Sequence, residues 1–250
     1  MIGIKDIVIT VLIVIIAGGG FFACSDKKSN IDELATHIRM FTDHPVTRLL
    51  IPPDAGQEKI VVSCSDIGEI KINMASSALG RLGGELQRIY SERSDKNIFI
   101  SPNCKLPYGD IVRIIDITFG TGVQVARLIT GDDVEAQNMP VLLSTIPLER
   151  QEHLNLPRAR NQFILPEADM NGDLVISLNR TGQIHRDVTP LSEGQLFGFI
   201  TQQFSSSEIR DRMIYLQADT ALPYGRVAEI VKGIRDAGGI YICLMVDFDK

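Results

Sequence analysis

The sequence predicts an α/β (α+β) chain: two tandem small β-β-α-β-α-β domains, helices on one face of a sheet, behind one apolar N-terminal segment. Three observations predict it. A tetrapeptide recurs, a helix-period apolar pattern recurs with it, and short β-branched runs stand in the same order in both copies. At 250 residues the chain has room for one large domain or for two of about 100 residues each.

The tetrapeptide Leu-Pro-Tyr-Gly occupies 106–109 and again 222–225, a shift of 116. At that shift Ile111, Ile114, Ile115 and Thr118 fall on Val227, Ile230, Val231 and Ile234. Those positions follow the i, i+3, i+4, i+7 rule, so each set is the core face of a helix. Pro107 and Pro223 sit where a first helical turn accepts proline, because the missing N–H would be unpaired there. Gly122 and Gly238 fall where the helix must stop. Tyr108, Gly109, Tyr224 and Gly225 complete the motif and read first as packing and turn residues.

Upstream the likeness continues at a shift of 114. Ile60–Ser63 and Asp66–Ile70 parallel Leu174–Ser177 and Arg180–Ile184, each reading as two short strands joined by a glycine turn. A helix follows in both, carried by Leu79, Leu82, Leu86 and Ile89 in the first copy and by Leu196, Ile200 and Phe204 in the second. Val123–Thr130 and Ile240–Val246 close the units as nearly all-apolar strands. Leu50–Pro53 and Leu154–Pro157 form the weakest part of the match. The expected organisation is 1–24 anchor or signal, 25–47 linker, 48–131 first unit, 132–152 acidic linker and 153–250 second unit.

Composition excludes several functions. Net charge is −6 and no segment offers a clustered Lys/Arg stripe, so nucleic acid is not an expected partner. Cys24, Cys64, Cys104 and Cys243 form no CxxC pair and no zinc spacing. An oxidising compartment permits a Cys64–Cys104 disulfide; isolated half-buried thiols are the simpler reading. Pro45 disfavours helical geometry at His44, which separates it from His37, and His153 and His185 stand alone. With no nucleophile beside a base, no metal cluster and no phosphate loop, no enzyme activity, cofactor or metal is expected.

Residues 7–24 carry no charge, and at 1.5 Å per residue they span about 27 Å, just enough for a hydrocarbon core. An uncleaved membrane anchor, a lipoprotein signal lipidated at Cys24 after Ala23, and a cleaved signal peptide all fit. Each allows the remaining chain to lie outside the cytoplasm.

The segment Gln217-Ala218-Asp219-Thr220-Ala221-Leu222-Pro223-Tyr224-Gly225, followed by a helix, a glycine and a last strand, resembles the ExbD/TolR family of biopolymer transport proteins. The likeness covers most of 48–250 and is strongest over 213–246. In the first copy Pro102 and Asn103 stand where the second has Ala218 and Asp219, a departure from the family pattern. The resemblance implies one inner-membrane helix, a linker able to extend, and a small periplasmic β-β-α-β-α-β domain, usually single. It implies an ExbB/TolQ-like proton channel and a TonB/TolA-like envelope protein as partners, with self-association open. Lys5-Asp6-Ile7-Val8 looks like the family's transmembrane acid run, which implies an ion-translocating role for Asp6. A periplasmic lipoprotein that only binds a partner is the alternative.

Overall fold

The computed structural model describes residues 53–248 apart from 66, 103–104, 132–133, 135–136, 146–153, 163–173, 187 and 206–212. Asp6, Cys24, the apolar segment 7–24, the expected linker 25–47 and Cys104 therefore lie outside the described residues. Among the described residues no helix is long and apolar enough to cross a membrane.

The first half runs β1 (Val61–Cys64), β2 (Ile70–Ile72), β3 (Ala75–Ser77), α1 (Leu79–Ser91), β4 (Asn97–Ser101), α2 (Tyr108–Phe119) and β5 (Val125–Ile129). After β6 (Asn138–Ser144) and β7 (Arg158–Ala159) the same order returns. It comprises β8 (Leu174–Leu178), β9 (Ile184–Arg186), β10 (Thr189–Leu191), α3 (Glu193–Phe204), β11 (Met213–Ala218), α4 (Tyr224–Asp236) and β12 (Tyr241–Met245). A short β13 (Asp247–Phe248) pairs with β7. Each half carries one short strand more than the sequence pattern suggested, because the second strand turns back on itself before the helix.

The helices form for the reasons the periodicity gives. Leu82, Leu86 and Tyr90 of α1, and their counterparts Leu196, Ile200 and Phe204 of α3, are buried. So are Ile111, Ile114, Ile115 and Thr118 of α2 and Val227, Ile230, Val231 and Ile234 of α4; Leu79 is partly buried against them. Each apolar side chain so buried contributes about 1.5–3 kcal/mol. The halves differ at the entry to the second-strand helix. Ser192 accepts from Gln195 N–H and Gln195 reaches back to Ser192 N–H at 2.9 Å, a capping box, whereas Ala78 caps nothing. Gly122 (φ 88°) and Gly238 (φ 104°) end α2 and α4 in the left-handed region.

Among the described residues, eleven of the thirteen strands join one sheet in the order β10-β9-β8-β11-β12-β6-β5-β4-β1-β2-β3. The described residues belong to one compact unit, His44–Lys250. The two copies are thus the two wings of a single sheet rather than free-standing domains. The stretch expected as an acidic linker is the reason: its residues 138–144 form β6, almost wholly buried, between the last strands of the two wings. Asp132, Asp133 and Glu135 give the stretch its acidic character, and the apolar run Met139-Pro140-Val141-Leu142-Leu143 that makes the strand follows just behind them.

All four helices bury their apolar residues in one cluster with one face of the sheet. On the other face Val125, Leu142, Tyr215, Tyr241 and Cys243 pack with Leu154 and Leu156. There Arg127 lies 8% exposed, donating through Nε to Asn97 at 2.9 Å, while Asn97 donates to Asp95 at 2.8 Å. Burial pulls the Arg127 guanidinium below its ordinary range, and Asp95 and Tyr241 oppose that pull.

Candidate functional site at the seam between the halves

The two Leu-Pro-Tyr-Gly elements, far apart in sequence, meet. Pro107 and Pro223 form an antiparallel bridge. Tyr108 N–H donates to Leu222 C=O at 2.8 Å, and Tyr224 N–H donates to Leu106 C=O at 2.7 Å. At the repeat shift Leu106 corresponds to Leu222 and Tyr108 to Tyr224, so the two bonds are reciprocal, as across a two-fold axis.

This pairing explains the motif position by position. The bonds run between residues flanking the prolines, so the prolines occupy a non-hydrogen-bonded pair and their missing N–H groups cost nothing. They stand at the N-cap of α2 and α4, one residue earlier than the first-turn position expected from sequence. Gly109 donates its N–H to Thr220 C=O at 2.9 Å. A Cβ at Gly109 would collide with the Thr220 side chain and lie 3.2 Å from its carbonyl oxygen. Glycine is needed for that close approach rather than for its φ.

Tyr108 and Tyr224 are fully buried packing residues, as expected. The Tyr108 hydroxyl has no hydrogen-bond partner among the described residues. Burial pushes its phenol well above the ordinary range, and Cys243 and Tyr224 add to the rise.

Asp219 is 5% exposed and holds the turn that leads into the second motif. Its carboxylate accepts Ala221 N–H at 2.9 Å and Asn155 N–H at 3.4 Å, and Thr220 N–H returns a bond to Asn155 C=O at 2.8 Å. The carboxylate thereby ties the 154–156 strap to the end of β11. Its first-copy counterpart, Asn103, lies outside the described residues.

The sheet carries the same axis. Val141 of β6 pairs with Ala126 of β5 on one side and with Ile242 of β12 on the other. Ala126 and Ile242 are equivalent at the shift of 116. β6 is antiparallel to β5 and parallel to β12, and β1, β4 and β5 run opposite to β8, β11 and β12. The axis therefore passes through β6 near Val141 and between Pro107 and Pro223.

Thus the structure brings Pro107, Tyr108, Gly109, Asp219, Pro223 and Tyr224 to one seam, with Gly225 beginning the adjoining turn of α4. Sequence reasoning missed Leu106, Val141, Thr220 and Leu222 as seam residues. The available signal was the identity of the tetrapeptide itself, kept where the flanking residues had drifted. Cys64 and Cys243 are buried and not in a disulfide, and burial raises the Cys64 pKa, helped by Asp110. No group of three or more metal-ligating side chains occurs among the described residues. No family model matches the sequence, and no curated protein matches it.

Proposed function

We propose that this chain is a non-enzymatic component of a proton-motive-force-coupled envelope complex, an ExbD/TolR-like protein whose periplasmic domain has been duplicated in tandem and fused. The observation that carries the reading is the element order. Each half repeats strands, helix, strand, helix and strand in the order the resemblance implies, and Ala218-Asp219 through Tyr224-Gly225 occupy the junction between β11 and α4. In this reading residues 7–24 anchor the chain in the inner membrane, 25–47 extend as a linker, and the described sheet lies in the periplasm. An ExbB/TolQ-like channel is the membrane partner and a TonB/TolA-like protein the envelope partner.

Asp6 carries the proton. An intramembrane carboxylate costs about 2.5–3.5 kcal/mol on the insertion scale, so such a residue is kept for its chemistry. Each charge crossing yields about 2.3 kcal/mol per 100 mV. An amide cannot take up and release the proton, so Asp6→Asn abolishes energy-dependent function while membrane insertion and folding persist. Full function in the Asn variant with an intact anchor refutes the coupling role.

Ala23-Cys24 favours a second reading, a lipidated periplasmic binding module without proton coupling. The intact mass of the membrane-purified protein separates the two. A mature chain beginning at lipid-modified Cys24 has lost Asp6 and belongs to the second.

A further inference from the structure

The seam has a property that neither half shows alone: its strand slot is one strand wide. β5 and β12 are equivalent under the two-fold relation, yet they are not neighbours; β6 lies between them. A two-fold axis perpendicular to a sheet reverses strand direction, so a single strand on the axis cannot itself be symmetric. β6 resolves this by running antiparallel to β5 and parallel to β12. It is supplied by the first half alone, as the continuation of β5.

We infer that the seam is an interaction surface that accepts only an unlike half of the same chain, and that it never joins two copies. Two first halves would bring two β6 strands to a single slot. After β12 the chain passes into β13, which pairs with β7 and not with the seam, so two second halves would leave the inner edges of their β12 strands about 9.5 Å apart with buried N–H and C=O groups unpaired. One of each satisfies every requirement at once: one β6, two prolines in the bridge, and the reciprocal bonds of Tyr108 and Tyr224. The wings are also tied in cis away from the axis. Arg160 and Asn161 N–H donate to Asp116 of α2 at 2.9 and 2.7 Å, and Asn155 meets Asp219 of the other wing. The complete two-fold unit is thus built from one chain, and a partner meets one N-terminal segment for each pair of halves.

Pro107 and Pro223 offer a direct test in the full chain. As a non-hydrogen-bonded antiparallel pair their Cα atoms stand about 4.5 Å apart, within disulfide range. Both are exposed. In a chain with Cys24 and Cys104 changed to Ser, the Pro107→Cys, Pro223→Cys double variant is oxidised and run without reductant. We expect a cross-linked species of single-chain mass that reductant releases. We expect no covalent dimer from Pro107→Cys alone, from Pro223→Cys alone, or from the two single variants co-expressed. A dimer from the double variant or the co-expressed pair shows that copies exchange halves; a dimer from either single variant shows that like halves meet. Either overturns the inference, and so does failure of a folded double variant to cross-link. If the double variant does not fold, the milder single variants alone decide, since each tests for dimers by itself.

Discussion

Gly109→Ala measures how tightly the seam is closed. Gly109 lies in the first turn of α2, where alanine in place of glycine ordinarily stabilises a helix by about 0.5–1 kcal/mol. Here the added Cβ meets Thr220 from the other half, colliding with its side chain and lying 3.2 Å from its carbonyl oxygen. The threonine side chain can rotate; the carbonyl is fixed by the bond it accepts from Gly109 N–H. Overpacking of this kind costs about 1–3 kcal/mol. Subtracting the helix term leaves a net loss of up to about 2.5 kcal/mol, centred on about 1.2 kcal/mol. With a urea slope of about 2 kcal/mol per molar, the midpoint falls by about 0.6 M and by no more than about 1.2 M.

Gly84→Ala is the control, because a Cβ at that helical glycine in α1 meets nothing within 4 Å. It should raise the midpoint by about 0.25–0.5 M on the same scale. Adding Thr220→Ala to Gly109→Ala should recover part of the loss, with a coupling of at least about 0.5 kcal/mol in the double-mutant cycle. If Gly109→Ala stabilises as much as Gly84→Ala, the close approach across the seam does not exist and the glycine is there for another reason.

Three further outcomes are expected. Met74 holds φ 74° in the β2–β3 turn and is 85% exposed, so Met74→Gly should relieve left-handed strain without losing contacts and raise stability by about 1 kcal/mol in urea melts. Tyr108→Phe should be neutral or stabilising because its hydroxyl has no partner among the described residues, whereas Tyr90→Phe should cost about 1 kcal/mol by removing the bond its hydroxyl donates to the Asn97 carbonyl at 2.7 Å. The same pair fixes a pH dependence. Both folded phenols are raised, so their neutral forms are favoured and the associated stability is full below the unfolded value of about 10. It is lost as pH climbs past that value, and Tyr108→Phe should blunt the alkaline fall in the urea midpoint.

The fold was legible in the sequence wherever apolar spacing records burial. Ile111, Ile114 and Ile115, repeated as Val227, Ile230 and Val231, marked two helix faces that the structure buries completely. The seam was not legible in the same way. Tyr108 and Tyr224 read as local packing residues because nothing in a linear pattern says that two strand-to-helix turns touch. Gly109 reads as a turn glycine, and only the approach of Thr220 shows that its missing side chain makes room for the other half. Asp219 could be read as a family position but not as the clamp on Asn155, since the bond spans 64 residues.

β6 escaped for a deeper reason. Repeat analysis finds what has been duplicated, and a strand lying on a two-fold axis is the one element that duplication cannot supply twice. Its neighbours Ala126 and Ile242 are repeat-equivalent, yet the one residue Val141 pairs with both, so no second strand can take an equivalent place between them. The halves are therefore free to diverge in ways that a true dimer of identical chains is not. On β5, next to β6, Arg127 builds a buried polar network with Asn97 and Asn138, while its equivalent on β12, Cys243, is fully buried in an apolar cluster. The tetrapeptide is identical in both halves, and its contacts are mutual. Each proline faces the other, and each tyrosine N–H serves the other copy's leucine carbonyl, so the same steric demands act on both. Identity at 106–109 and 222–225, set against difference at Arg127 and Cys243, matches a bridge that is symmetric around a central strand that is not.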